Sequence, residues 1–137
     1  MTQTRDVRTL TLDAARALAE AGEAEARRRG WTVAIAVVNP EGGLILFHCL
    51  DGTQPASQDI AIAKARTAAR FRRPTKVLED AIAGGRHALL GVPGILPLEG
   101  GVPVTDGGAV IGAVGVSGMA SSEDGVIAAA ALRGLER

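Results

Sequence analysis

The alternation of apolar and polar residues predicts that the chain begins with an amphipathic helix followed by a β-hairpin. Between residues 11 and 29, charged residues recur at helical spacing on one side, and alanines and leucines occupy the other. Thr11 supplies a cap at the start of this helix and Gly30 a stop at its end. The β-branched run at 31–39 and the apolar run at 44–50 flank a Pro-Glu-Gly-Gly turn, so we expect two antiparallel strands here.

The middle of the chain predicts two helices and a long loop. A helical pattern at 57–73 ends at a proline, and a shorter helix capped by Thr75 is expected at 75–83. Residues 84–101 are rich in glycine and proline, which indicates an ordered loop with a short extended piece near Ile95. Loops of this kind often carry binding sites.

The last third of the chain completes the prediction of the fold class. Apolar runs at 102–105 and 109–116 surround an Asp-Gly-Gly turn, and a final helix is expected at 121–135. Two hairpins separated by helices predict an α/β (α+β) protein with an antiparallel central sheet flanked by helices. The predicted order is α-β-β-α-α-β-β-β-α, with about five strands. A length of 137 residues suits a single domain spanning 1–137.

Composition narrows the classes of partner. Fifteen basic and fifteen acidic residues cancel, so the global field that attracts nucleic acid or anionic membranes is missing. Only three aromatic side chains are present, too few for a platform that stacks single-stranded nucleic acid. No stretch has the roughly 20 apolar residues of a membrane span, and no signal peptide is evident. One cysteine cannot form an internal disulfide, and we expect a cytoplasmic protein without nucleic-acid or membrane partners.

Lys64 interrupts the apolar face of the second helix. A buried ammonium without a partner is costly, so this lysine is expected to snorkel to solvent, pair with a carboxylate, or meet an anionic ligand in a cleft. A charged stripe occupies the opposite arc of the same helix, and a solvated surface is its simpler interpretation. That stripe consists of Asp59, Arg66, Arg70 and Arg73.

Asp124 is the matching charge on the last helix, where it shares a stripe with Ala128 and Ala131. Its position in the first turn suits a capping acid that interacts favourably with the helix dipole. The alternative is a functional role, in which Asp124 orients Lys64 or a ligand. The sequence leaves both interpretations open.

Metal-ligand spacing is not found around His48 and His87, the only two histidines. His87, in the glycine-rich loop, is the better candidate for an acid/base or axial-ligand role, and an ordinary loop histidine is the alternative. Cys49 follows His48 on a strand, so the two side chains point to opposite faces and form no obvious nucleophile–base pair. The role of Cys49 stays open.

The glycines at 112, 115 and 118 match neither the dinucleotide-binding fingerprint nor the P-loop. We expect them to allow a helix to pack closely on a strand. The amides that follow Gly118 open a helix, and such a start is suited to binding a carboxylate or phosphate.

Several stretches of the chain, in order, resemble the GlcG/HbpS-like family, also called the haem-degrading domain family and found as the C-terminal domain of PduO adenosyltransferases. These stretches are LTLDAARALAEAGEAEARRRG in the first helix, LDG at 50–52, AKARTAARF at 63–71 and GGVPVTDGGAVIGAVGVSG at 100–118. Glu123 and Asp124 follow them at the family's spacing. The resemblance covers nearly all of the chain.

The resemblance implies a profilin/GlcG-like fold, a homo-oligomer, and ligand pockets near subunit contacts. In some relatives the ligand is haem or a related tetrapyrrole. The positions that match the family's pattern are Lys64, Thr67, Gly100, Gly101, Pro103 and Asp124.

Three positions depart from the family's common pattern. Relatives often have an aromatic residue in place of Arg66, an arginine in place of Cys49, and an aspartate in place of Asn39. The histidine with which some relatives bind haem lies in the first helix, which here has none. If haem is the cofactor, His48 or His87 would have to bind its iron.

The leading hypothesis is a binding protein for an anionic small molecule, either haem or another tetrapyrrole or an organic acid. Its expected ligand-binding residues are Lys64, Arg66, Thr67, Gly100, Gly101, Pro103 and Ser117. A second hypothesis is a cofactor-independent enzyme, of isomerase, hydratase or decarboxylase type, that acts on a small organic acid. In it Lys64 serves as base or as a nucleophile that traps a carbonyl group, and Asp124 or His87 moves the proton. A third is an assembly module without a ligand.

Overall fold

The computed structural model describes residues 3–136 and contains both of the predicted hairpins. The helices are α1 Leu12–Arg29, α2 Ala56–Phe71, α3 Thr75–Ala83 and α4 Ser121–Leu132, and the strands are β1 Ala34–Val38, β2 Leu44–Cys49, β3 Gly101–Asp106 and β4 Ala109–Ser117. Short 3-10 helices lie at His87–Gly91 and Arg133–Leu135. Within residues 3–136, no helix has the length and apolar character needed to cross a membrane.

The four strands form one antiparallel sheet in the order β2-β1-β4-β3. The mixed α/β class and the antiparallel sheet are therefore confirmed, but the expected number of five strands is wrong. Among the described residues, the segment 95–98 forms no strand. Two prolines in this loop lack the N–H that a strand donates, and the Leu96 amide bonds the side chain of Thr67 instead.

Two helical layers cover the sheet. Helix α2 packs over β1, β4 and β3 on one face, whereas α1 and α4 pack against the other face. The central strand β1 is completely buried. On the face that α2 covers, the core consists almost entirely of alanines, so the helix lies close to the sheet.

Gly115 of β4 makes this close approach feasible. A Cβ atom at this position would lie 2.1 Å from the Ala61 carbonyl oxygen and 2.4 Å from the Ala65 nitrogen. These backbone atoms of α2 leave no space for a side chain, which confirms the expected role in helix packing for Gly115 alone. Gly118, just after β4, lies against the Thr32 carbonyl oxygen and not against a helix. A Cβ atom at Gly112, earlier on the same strand, would clash with the Leu10 side chain and the Val38 carbonyl oxygen.

The ends of the helices follow the predicted local chemistry with two exceptions. The Thr11 hydroxyl accepts from the Ala14 amide, and Gly30 ends α1 in a left-handed conformation, as expected. Thr75 was predicted as a cap, but it is the first residue of α3 and lies after Pro74. Its hydroxyl is used to bind the backbone of Gly101. The last helix ends at Leu132, three residues earlier than expected, and continues as a 3-10 turn.

Candidate functional site

Lys64 and Asp124, the two inward charges, meet in the core. The Lys64 ammonium donates to Asp124 Oδ2 at 3.0 Å and to the Val116 carbonyl at 3.0 Å. Both side chains are 2% exposed. Among the alternatives for Lys64, the structure therefore shows pairing with a carboxylate.

Three elements position this ion pair. Lys64 extends from α2, Val116 belongs to β4, and Asp124 lies in the first turn of α4. The second carboxylate oxygen of Asp124 accepts from the Met119 amide at 2.9 Å. Asp124 therefore binds the backbone just before α4 with one oxygen and the Lys64 ammonium with the other. A functional role for Asp124 stays a prediction.

The electrostatics of the pair follow from its burial. Loss of water raises the pKa of Asp124, while the Met119 N–H and the Lys64 ammonium oppose this rise by stabilising the carboxylate. Removing either charge would leave the other buried without its counter-ion.

Gly100 and Gly101 cover the pair from the side of the glycine-rich loop. A Cβ at Gly100 would lie 2.8 Å from Lys64 Nζ and 2.6 Å from the Val116 carbonyl oxygen, and the φ angle of +131° is itself unfavourable for other residues. A Cβ at Gly101 would lie 2.4 Å from the Lys64 carbonyl oxygen. These two family-matched glycines therefore contact the lysine directly, and their backbone closes the space above it.

Two buried threonine hydroxyls attach the loop to the helices. Thr67 Oγ1 donates to the Ala63 carbonyl at 2.8 Å and accepts from the Leu96 amide at 3.0 Å. Thr75 Oγ1 accepts from the Gly101 amide at 2.9 Å. Both hydroxyls therefore have partners within the chain.

Pro103 and Ser117 lie on neighbouring strands. Pro103 is a half-buried residue of β3 that pairs with Ala113. Ser117 is the last residue of β4, 4% exposed, and pairs with Ala34. The expected ligand-binding residues are thus divided between a closed interior around Lys64 and an outer surface around Arg66.

The outer surface of α2 carries a groove, which we call the helix groove. The groove has a volume of about 420 Å³. Its lining residues are Asp59, Ile62, Ala63, Arg66 and Arg70 of α2 and Gly94, Ile95 and Leu96 of the loop. Apolar side chains and two guanidinium groups thus line the same cleft.

Both arginines of the helix groove bind the backbone of the β1–β2 turn through one nitrogen. Arg66 Nε donates to the Gly42 carbonyl at 2.9 Å, and Arg70 Nε donates to the Glu41 carbonyl at 2.9 Å. All four residues of the charged stripe are exposed, in agreement with a solvated surface, and these two bonds connect part of it to the β1–β2 turn. A signal in the sequence was Ile62, an apolar residue on the same helical stripe as the charges.

The two histidines lie apart from the ion pair. His87 is exposed in the 3-10 helix that follows α3. His48 Nδ1 lies 3.0 Å from Glu23 Oε1 of α1, without the alignment of a hydrogen bond. In the part of the chain that the structure describes, no group of three or more metal-ligating side chains is found.

A family model and a curated relative both match most of this chain. The family model described as "Haem degrading protein HbpS-like" matches residues 10–133. Protein GlcG of Escherichia coli K12 is 44% identical over 108 residues, which are 79% of this chain and 81% of GlcG.

Two solved structures share the fold over nearly the whole chain. A double mutant of Streptomyces reticuli HbpS has a TM-score of 0.93 at 34% identity, and the match covers 100% of this chain and 94% of the HbpS chain. Klebsiella pneumoniae ORFY has a TM-score of 0.91 at 33% identity, and the match covers 98% of this chain and 95% of the ORFY chain. Because the family model covers residues 10–133 and GlcG is 44% identical over 108 residues, the chain belongs to the HbpS-like family.

Proposed function

We propose that this protein binds a small organic acid with an apolar body in the helix groove. The observation that carries the proposal is the pairing of two exposed guanidinium groups with apolar walls in one cleft of about 420 Å³. Cavities of this size hold small molecules, and a few well-placed polar groups fix the ligand's orientation. Arg66 and Arg70 would bind the carboxylate, while Ile62, Ile95 and Leu96 would contact the apolar part.

The geometry of the arginines supports this assignment. Each uses its Nε to hold a carbonyl of the β1–β2 turn, so the guanidinium planes are fixed and their terminal nitrogens stay available. A fixed guanidinium loses less entropy when it binds a carboxylate, and its paired donors match the two carboxylate oxygens. Asp59, at the end of the same groove, would disfavour ligands with several negative charges.

Haem is the ligand that the family description suggests, and the helix groove does not fit it as an iron-bound group. None of the described residues that line the groove is a histidine, cysteine, methionine or tyrosine, which are the side chains that bind haem iron. His48 is packed beside Glu23, and His87 is exposed on another segment. We therefore favour the organic acid over the tetrapyrrole.

The enzyme hypothesis with Lys64 as base is less well supported. Its ammonium is already bonded to Asp124 and Val116 and is covered by Gly100. A substrate would have to displace this loop before it could reach the nitrogen. The arrangement instead resembles a buried structural ion pair.

Replacing Arg66 with glutamine is expected to weaken binding of a simple monocarboxylate by about 10-fold to 100-fold. Such a loss corresponds to one charge-assisted hydrogen bond. The measurement is a titration with phenylacetate, benzoate and octanoate, followed by calorimetry and ligand-observed NMR. Arg16→Gln is the matched control, because Arg16 is an exposed arginine that pairs with Asp13 on α1.

Two results would contradict the proposed function. One is that none of the three acids binds saturably to the native protein. The other is that haemin gives a saturable Soret shift that disappears in His87→Ala, which would favour the tetrapyrrole. Melting temperatures of all variants separate a loss of binding from a loss of folding.

A further inference from the structure

The helix groove carries opposite charges at its two ends. Asp59 lies in the first turn of α2, and Arg66 and Arg70 follow it on the same helix and line the same cleft. With about 3.6 residues per turn, these three positions fall within about 40° of one another around the helix axis, so they form a single row. Seven residues separate Asp59 from Arg66, which is a rise of about 10 Å along the axis. The groove is therefore acidic at one end and basic at the other.

The acidic end has no counter-charge of its own within residues 3–136. Asp59 is exposed and takes part in none of the ion pairs there. The two arginines are held towards the β1–β2 turn, because their Nε atoms donate to its backbone carbonyls. An acid in the first turn also suits the helix dipole. Because Asp59 lines the groove as well, its charge acts on any ligand that the groove holds.

Apolar side chains lie between the two charged ends. Ile62 and Ala63 stand between them on α2, and Ile95 and Leu96 line the cleft from the loop. All four residues are half-buried. The loop is attached to the helix here, because the Leu96 amide donates to Thr67 Oγ1 at 3.0 Å. A hydrocarbon chain in this cleft would bury its methylene groups, while a charged group at each of its ends would meet the opposite charge.

We propose that the ligand of the helix groove is a zwitterion, a monocarboxylate that carries an ammonium group at the far end of an apolar chain. This inference rests on the proposed function, because Arg66 and Arg70 again bind the carboxylate. Asp59 would bind the ammonium and so select among acids of similar size. The separation of about 10 Å between the charged positions favours long ω-amino acids over α-amino acids, whose two charged groups are attached to one carbon. A second carboxylate at the far end would be repelled by Asp59.

Titration calorimetry with octanoate and 8-aminooctanoate tests the role of Asp59, because these acids have the same chain length and differ in the terminal ammonium. At low ionic strength the native protein is expected to bind 8-aminooctanoate more tightly than octanoate. Asp59→Asn is expected to lower this ratio of affinities by about 2-fold to 5-fold, the range for an exposed ion pair. Glu20→Gln is the matched control and should keep the native ratio, since Glu20 is an exposed acid of α1 on the other face of the sheet.

The outcomes separate this inference from the proposed function on which it rests. Saturable binding of octanoate without tighter binding of 8-aminooctanoate would overturn the zwitterion and leave the organic-acid site standing. A native ratio that persists in Asp59→Asn would do the same. If neither acid binds to the native protein, the proposed function fails and the inference fails with it.

Charge reversal gives a second test with a larger expected effect. Octanedioate, a dicarboxylate of the same chain length, is expected to bind the native protein less tightly than 8-aminooctanoate. In Asp59→Lys this order is expected to reverse, because the new ammonium attracts the second carboxylate and repels the ligand's ammonium. If Asp59 serves only the helix dipole, the variant would have a lower melting temperature and the native order of the two ligands. That result would overturn the inference.

Discussion

Replacing Lys64 with methionine is expected to lower the free energy of unfolding by about 3–5 kcal/mol. The substitution leaves the Asp124 carboxylate 2% exposed and without its counter-ion, which is the most costly way to disturb a buried pair. Asp124 would retain only its bond from the Met119 amide. Chemical denaturation followed by circular dichroism measures the loss.

The double variant Lys64→Met, Asp124→Leu is the informative control. Replacing both charges removes the desolvation penalty, so it is expected to regain most of the stability that the single variant loses. If the single variant is as stable as the native protein, the ion pair does not exist as described. If the double variant folds and still binds an organic acid, Lys64 is not the residue that holds the ligand.

Replacing Gly115 with alanine is expected to cost about 3 kcal/mol, at the upper end of the range for overpacking a core. The new methyl group would lie against the Ala61 carbonyl oxygen and the Ala65 nitrogen. These are backbone atoms of a helix, so they cannot move aside as a side chain can. The helix would have to shift away from the sheet.

Gly91→Ala is the matched control for this prediction. No heavy atom lies within 4 Å of a Cβ at Gly91, and its φ angle is not in the left-handed region. Its stability is therefore expected to stay within about 0.5 kcal/mol of the native value. Equal stability of the two glycine variants would mean that α2 does not pack on β4 as closely as the structure shows.

Local sequence patterns were sufficient to predict most of the secondary structure. The first helix, its Thr11 cap and both hairpins follow from periodicity and turn chemistry, which act over a few residues. The supposed strand near Ile95 does not form, because the Leu96 amide finds a partner in Thr67 of α2. That bond joins positions 29 residues apart, and no local pattern reveals it.

The candidate site was predictable only in part, for the same reason. Helical periodicity showed that Lys64 and Asp124 face inwards, but their contact depends on how α2 and α4 pack. The bonds from Arg66 and Arg70 to the β1–β2 turn depend on the tertiary structure as well. A pattern of charges at helical spacing cannot distinguish a solvated arginine from one that is held in place.

The cations of α2 differ in their burial, and we therefore expect them to have different roles. Lys64 is closed off by Asp124 and Gly100, and its ammonium is the counter-ion of the buried carboxylate. Arg66 and Arg70 are exposed, oriented and next to apolar side chains, which is the chemistry that recognises a carboxylate. The proposed ligand site therefore lies on the outside of α2.

Mapping the backbone amide shifts in ¹H–¹⁵N NMR spectra during a titration with phenylacetate tests this placement most directly. We expect the largest saturable shifts at residues 59–70 and 94–96, with small changes at Gly100, Gly101 and Asp124. The account would be contradicted by shifts centred on Gly100, Gly101 and Asp124, or by a spectrum that phenylacetate leaves unchanged.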